Sequence, residues 1–139
     1  MPKTLTLTLP WPPTVNNYWR NVHGRTLISR EGRQYRDGIT NLWWVATVTE
    51  GRRGFADAPL AIHIDAYPPD NRRRDLDNLL KSLLDAMQHA GLYTDDAQIH
   101  YLAIIRHRPT PPGYVLVTLT DRLAHAPCAD QSQNASCTK

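Results

Sequence analysis

Leucine and threonine alternate without a break through residues 4–9, so that Leu5, Leu7 and Leu9 share one face of a strand and Thr4, Thr6 and Thr8 the other. Pro10 ends that strand, and Pro12-Pro13 exclude an immediate helix. Residues 14–28 show no apolar period and read as a polar, aromatic loop. Ser29 is then a suitable N-cap for a helix over about 30–48, with Tyr35, Ile39, Leu42 and Ala46 as its buried stripe. Gly51, Gly54 and Pro59 mark a second loop. Alternation returns with Leu60, Ile62, Ile64 and Ala66 set against His63, Asp65 and Tyr67, a second strand closed by Pro68-Pro69.

A second helix starts around Asp75–Asp77 and carries Leu76, Leu79, Leu80, Leu83, Leu84 and Met87 on a broad apolar stripe, with Gly91 as its stop. That stripe lasts about three turns, too short for a leucine zipper. A third strand follows over about 97–107. A proline-rich loop then leads to a fourth over 114–119, and the two are expected to form a hairpin. The order β-α-β-α-β-β implies an α/β chain of the α+β kind: one small domain over residues 1–123, with a mixed four-stranded sheet and two main helices. Residues 124–139 lack any periodicity and are expected to be disordered.

A chain of 139 residues suits one core. It has no apolar run long enough to span a bilayer and no signal-peptide pattern at Met1-Pro2-Lys3-Thr4, so a cytoplasmic protein is expected. Cys128 and Cys137 both lie in the polar tail, and with His125 they make too thin a donor set for a zinc site. Net charge is only +3, but its distribution is uneven. Residues 1–60 hold eight basic and four acidic side chains; residues 61–139 hold eight and nine. Arginine outnumbers lysine thirteen to three, which suits phosphate recognition and equally a GC-rich genome. Trp43 and Trp44 are adjacent and cannot share a helix face, so one of them faces a second contact surface. His63 and Asp65 share a strand face, where a sheet-face role outweighs a metal role.

The informative chemistry is the run Arg72-Arg73-Arg74-Asp75-Leu76-Asp77-Asn78-Leu79, with Lys81 a turn later and Asp95-Asp96 beyond the helix. Arginines attract a polyanion that bare carboxylates would repel. A divalent cation between carboxylate and phosphate reconciles the two. The plainer reading keeps Asp75 as an N-cap, Asp77 in a favourable first turn, and Asp77–Lys81 as a surface pair. Spacing alone leaves both open. It also leaves open whether Asp96 reaches Asp75 and Asp77, because the intervening helix spans about 20 Å.

The Arg-Asp-Leu-Asp-Asn run, with Lys81 and Asp95-Asp96-Ala97-Gln98, closely resembles the RusA family of Holliday-junction resolvases. Leu9-Pro10-Trp11-Pro12-Pro13, Gly24-Arg25-Thr26, Ser29, Glu31-Gly32 and Tyr35-Arg36-Asp37 match it too, and the likeness covers roughly residues 4–120. It implies a homodimeric endonuclease that uses Mg²⁺, with Mn²⁺ as a substitute, and cuts four-way DNA junctions by paired symmetric nicks in recombination and repair. By motif position it implies catalytic, metal-holding carboxylates at Asp75, Asp77 and Asp96 and a catalytic lysine at Lys81, with Asp95 the lesser member of its pair. DNA contacts are expected at Arg72, Arg73, Arg74, Arg20 and Arg25. Thr14-Val15 departs from the family's usual serine-led loop, and the tail has no counterpart in compact members. The alternatives are a non-catalytic branched-DNA-binding module, a nuclease for forks or flaps, and a protein-interaction domain.

Overall fold

The computed structural model describes residues 3–121. In chain order its elements are β1 (Thr4–Pro10), α1 (Val15–Tyr18), β2 (Trp19–Val22), β3 (Arg25–Ile28), α2 (Arg30–Glu50), β4 (Leu60–Tyr67), α3 (Asp77–Ala90), a 3-10 turn (Asp96–Gln98), β5 (Ile99–Arg106) and β6 (Tyr114–Thr120). Four strands make one mixed sheet in the order β1-β6-β4-β5, as the α+β reading requires. No helix among the described residues is long and apolar enough to cross a membrane. The expected disorder of 124–139, and the residues His125, Cys128 and Cys137, lie outside the described residues.

The expected hairpin is not formed. β4 lies between β5 and β6, pairing parallel with the first and antiparallel with the second. The connection from β5 to β6 instead passes over the end of β4. His107 N donates to Ala66 O at 2.8 Å and Thr110 N to Pro68 O at 2.7 Å. Gly113 sits so close to Pro69 that a Cβ there would meet its ring nitrogen at 2.8 Å. β4, α3 and β5 therefore form a parallel crossover, and this decides where the acidic residues end up.

The supposed loop 14–28 contains structure of its own. α1 makes a single turn, and β2 and β3 form a two-stranded ribbon with Arg20 opposite Leu27 and Val22 opposite Arg25. His23 and Gly24 both have positive φ, 51° and 74°, the backbone of a two-residue hairpin turn whose twist matches its strands.

Leu60, Ile62, Ile64 and Ala66 of β4, with Val115, Val117 and Leu119 of β6, form the buried face of the sheet. α2 and α3 cover it with Ile39, Trp43, Leu83 and Met87. On α2 the buried positions are Gly32, Tyr35, Ile39, Trp43 and Ala46. Leu42, expected inside, is 47% exposed, because Trp43 continues the three- and four-residue steps and Leu42 falls about 100° away. Trp44 is the outward tryptophan, 63% exposed, beside exposed Val45 and Val48.

Ser29 caps α2 as expected, its Oγ accepting from Gly32 N at 2.9 Å, and Gly51 ends the helix at φ 66°. Gly32 is there because nothing larger fits. A Cβ would lie 2.5 Å from the Tyr18 carbonyl oxygen and 2.8 Å from Ile28 Cγ1. Gly32→Ala is therefore expected to destabilise the chain by about 1–3 kcal/mol despite alanine's better helix propensity, as measured by denaturant unfolding.

Among the described residues, the second face of the sheet carries no helix. Tyr67 stacks between His107 and Tyr114 at ring separations of 4.6 and 4.5 Å. His107 Nε2 lies 2.6 Å from Asp65 Oδ1, and His63 Nε2 lies 3.4 Å from it. Burial opposes the Asp65 charge, but these two imidazoles outweigh it and hold its pKa below the usual value. Asp65 thus ties β4 to the residue that follows β5, in keeping with the sheet-face role expected of it.

Candidate active site

The loop from β4 to α3 is shaped by Asp70. Its Oδ1 accepts from Arg72 N at 2.9 Å and meets Arg74 Nη1 at 2.6 Å. The Arg74 guanidinium, then the Arg72 amide, draw the Asp70 pKa down to about 2. Arg106, at the end of β5, donates to the Arg74 carbonyl, and the Arg74 guanidinium lies over the Trp11 ring at 5.9 Å. With Arg74 so engaged, Arg72 and Arg73 stand exposed. Trp11, Thr14, Arg73, Arg74, Asp75 and Asn78 line one shallow pocket.

At the start of α3, Asp77 takes the favourable first-turn position, but Asp75 does not serve as the N-cap. The N-cap position is Leu76, and no side chain caps the helix; Asp75 offers only its carbonyl, to Asn78 N. Asp75, Asp77 and Lys81 are all exposed, and none of the three side chains has a hydrogen-bond or ion-pair partner among the described residues. Two bare carboxylates two residues apart are the hard-oxygen donors that Mg²⁺ takes alongside its waters, so this donor set fits a divalent cation.

Asp96 is elsewhere. In the Asp95–Gln98 turn, Asp95 Oδ1 accepts from Ala97 N at 3.1 Å, and Gln98 Oε1 accepts from Asp95 N at 2.8 Å and Thr94 N at 2.7 Å, a complete capping box. Gln98 Nε2 donates to Ala56 O and Ala58 O at 2.7 and 2.9 Å. Asp95 is therefore occupied in holding the turn, and Asp96 is presented by it. The Tyr93 hydroxyl stands 3.1 Å from Asp96 Oδ1 and 2.7 Å from Leu84 O. Asp96 is exposed as a residue, yet its carboxyl lies against Tyr93. Loss of water there is the largest effect, and with Asp85 and Asp95 nearby it holds the Asp96 pKa above the usual value despite the Tyr93 bond. Asp85 is itself engaged by the Arg36 guanidinium at 2.8 Å and by the Tyr18 hydroxyl.

The parallel crossover sets the separation. β5 begins just after Asp96 and reaches the Arg74 loop only at its far end, through Arg106. Eight strand residues cover about 26 Å. Among the described residues no three His, Cys, Asp or Glu side chains gather closely enough to hold a metal. Asp75 and Asp77 lie two residues apart at the start of α3, and Asp96 lies just before the opposite end of β5 in the same chain.

The family described as "Endodeoxyribonuclease RusA" matches residues 10–118. The chain belongs to the RusA family. "Crossover junction endodeoxyribonuclease RusA" of Shigella sonnei is 42% identical over 118 residues, covering 85% of this chain and 95% of that protein. The protein of the same name from Escherichia coli strain K12 is 40% identical, and that of Enterobacteria phage 82 is 42% identical, over the same shares. The RusA match spans the arginine loop, both acidic pairs and the β2–β3 ribbon. On that ribbon Arg20 and Arg25 lie on one face and are exposed, a pair of cations on a shape narrow enough for a DNA groove.

Sequence reasoning did not find the structural roles of Asp70, Trp11, Tyr93, Arg106 and the Arg36–Asp85 pair, all of which shape the site. One signal was present. Asp95-x-x-Gln98 is a capping-box spacing and separates the aspartate that holds the turn from the one the turn presents. Asp70 and Tyr93 act on near neighbours without a recognisable spacing, and Trp11, Arg106 and the Arg36–Asp85 pair depend on contacts far apart in sequence.

Proposed function

We propose that this chain is a crossover-junction endodeoxyribonuclease that works as a Mg²⁺-dependent homodimer on four-way DNA, with Mn²⁺ able to substitute. Each of its two sites combines Asp75 and Asp77 of one copy with Asp96 of the other. The observation that carries the reading is that Asp75 and Asp77 stand exposed and unpartnered at a helix start, beside a basic loop. The separation of Asp96 supports the two-copy form, since paired nicks across a two-fold junction call for two matched sites.

In that site Asp75 and Asp77 hold the cation. When bound, it supplies Lewis acidity at the scissile phosphate and a more acidic water. Arg72, Arg73 and Arg74 draw the backbone to the loop, and Arg20 and Arg25 hold an arm farther away. Lys81 lies one turn along α3 from Asp77, where its ammonium can stabilise charge on the phosphate or the departing oxygen.

Mixing two inactive variants tests the arrangement. Asp77→Asn and Asp96→Asn each remove part of every site in their own dimers. A mixed dimer regains one complete site, so an equal mixture after subunit exchange should recover about a quarter of the parent's sites. Only one strand of each junction would then be cut, visible on a native gel as nicked junction rather than resolved duplexes. A mixture as dead as its components would overturn the two-copy site.

A further inference from the structure

Residues 10–13 hold Trp11 as a fixed platform beside the start of α3. Pro10 O accepts from the Tyr35 hydroxyl at 2.8 Å, Pro12 is fully buried, and Pro13 O accepts from Ser82 Oγ at 2.6 Å. The Trp11 side chain between these anchors is half-buried. Beside it opens the pocket that Asp75 also lines, with a volume of about 260 Å³. Pro12 and Leu79, both buried, add to its apolar lining. Its polar lining includes the Asn78 amide and the Thr14 hydroxyl, and neither has a hydrogen-bond partner among the described residues. A largely apolar recess with a few unspent polar groups is the ordinary form of a ligand site.

We propose that this pocket receives one nucleobase of the DNA, turned out of its stack beside the phosphate to be cut. The inference rests on the nuclease reading above and deepens it by naming what the site takes besides the phosphate. Two observations converge on it. The first is the chemistry of the lining. The Trp11 ring and the Arg74 guanidinium, 5.9 Å apart, are both flat surfaces of the kind on which bases stack. The Asn78 amide sets a donor next to an acceptor, the complement of a base edge that has lost its pair.

The second is position. Asn78 N donates to Asp75 O at 3.2 Å, so the base edge would be read directly beside a carboxylate assigned to the cation. A second cavity, of about 240 Å³, shares Trp11, Arg73 and Arg74 and adds Arg72, Arg106 and His107. Its cations suit a neighbouring phosphate. A base recess between metal-binding carboxylates and a cationic recess has the parts needed to hold one nucleotide of a strand.

Turning a base out costs its stacking and pairing, and costs least where pairs are already open. The branch point of a four-way junction is such a place; the interior of a linear duplex is not. Both offer the same backbone to the arginine loop. The pocket therefore gates cutting rather than binding, because a duplex held by the arginines delivers no base to Trp11.

The test joins a photochemical cross-link to a kinetic rescue. 5-Iodouracil is placed in turn at the nucleotides about the branch point, and the parent chain is bound in the presence of a chelator and irradiated. A cross-link to the peptide bearing Trp11 is expected from one of these positions and should vanish in Trp11→Leu. Asn78→Ala, at an exposed position, should lower kcat on a fully paired junction about tenfold with KM within about twofold of the parent. A mismatch that leaves the base beside the cut unpaired should bring that variant back to within about twofold of the parent, a rescue that a merely structural role would not show. A cross-link that maps away from Trp11, or an Asn78→Ala defect of equal size on paired and mismatched junctions, overturns the pocket and leaves the nuclease standing. Failure to cut any junction with any divalent cation overturns the nuclease reading instead; the cross-link, taken without metal, then still decides whether the pocket takes a base.

Discussion

Asp77→Asn is expected to bind four-way junctions at least as tightly as the parent and to cut them about 10²–10³-fold more slowly, or not at all. The substitution keeps the shape of the side chain and removes its charge. Because the residue is exposed and has no partner among the described residues, the fold loses little: about 0.3–1 kcal/mol from a less favourable first turn of α3. Binding holds or improves because one negative charge near the phosphates is gone, while Arg72, Arg73 and Arg74 are untouched. Gel shift and cleavage assays on one labelled junction, at one salt concentration, separate the two effects. Parent-like cutting by the variant would leave Asp77 with no catalytic role.

The second large effect lies at the other acidic pair. Gln98 is 9% exposed and makes four hydrogen bonds to the backbone, accepting from Thr94 N and Asp95 N and donating to Ala56 O and Ala58 O. Gln98→Ala strips partners from all four groups at once. At about 1 kcal/mol per bond, with some water re-entering, the expected loss is about 2–4 kcal/mol, a fall in Tm of roughly 10 °C for a domain of this size. Cutting should fall further than stability explains, because the turn that presents Asp96 is no longer fixed. Thermal unfolding and cleavage at 25 °C measure the two, and a Tm within about 2 °C of the parent would show that the glutamine does not organise the turn.

Much of the scaffold is legible in the residues. The Leu–Thr alternation of β1, the Ser29 cap, the leucine stripe of α3 and its Gly91 stop all read correctly because each is a local pattern matched by the burial it produces. The failures have local or topological causes. β2 and β3 are four residues each, largely exposed, and give no alternating apolar signal; only the His23-Gly24 turn marks them. Leu42 and Trp43 differ by one step of helical phase, which a short window does not resolve. β5 and β6 are consecutive in sequence, yet the prolines between them carry the chain across β4, an outcome that depends on Pro68 and Pro69 far away. The candidate site divides the same way. That Asp77 and Lys81 share a face of α3, with Asp75 two residues before the helix, follows from sequence and helical spacing. That Asp96 stands apart follows from a parallel crossover, which no local pattern encodes.

The crossover has a last consequence. Regular helix and strand, not slack loop, connect the Asp77 end of the molecule to the Asp96 end. That makes the interval between them a built-in ruler. In the two-fold assembly proposed, a ruler inside each copy becomes the gauge between the two reaction centres. The offset of paired incisions would then be set by the count of turns in α3 and would stay the same whatever sequence the DNA arms carry.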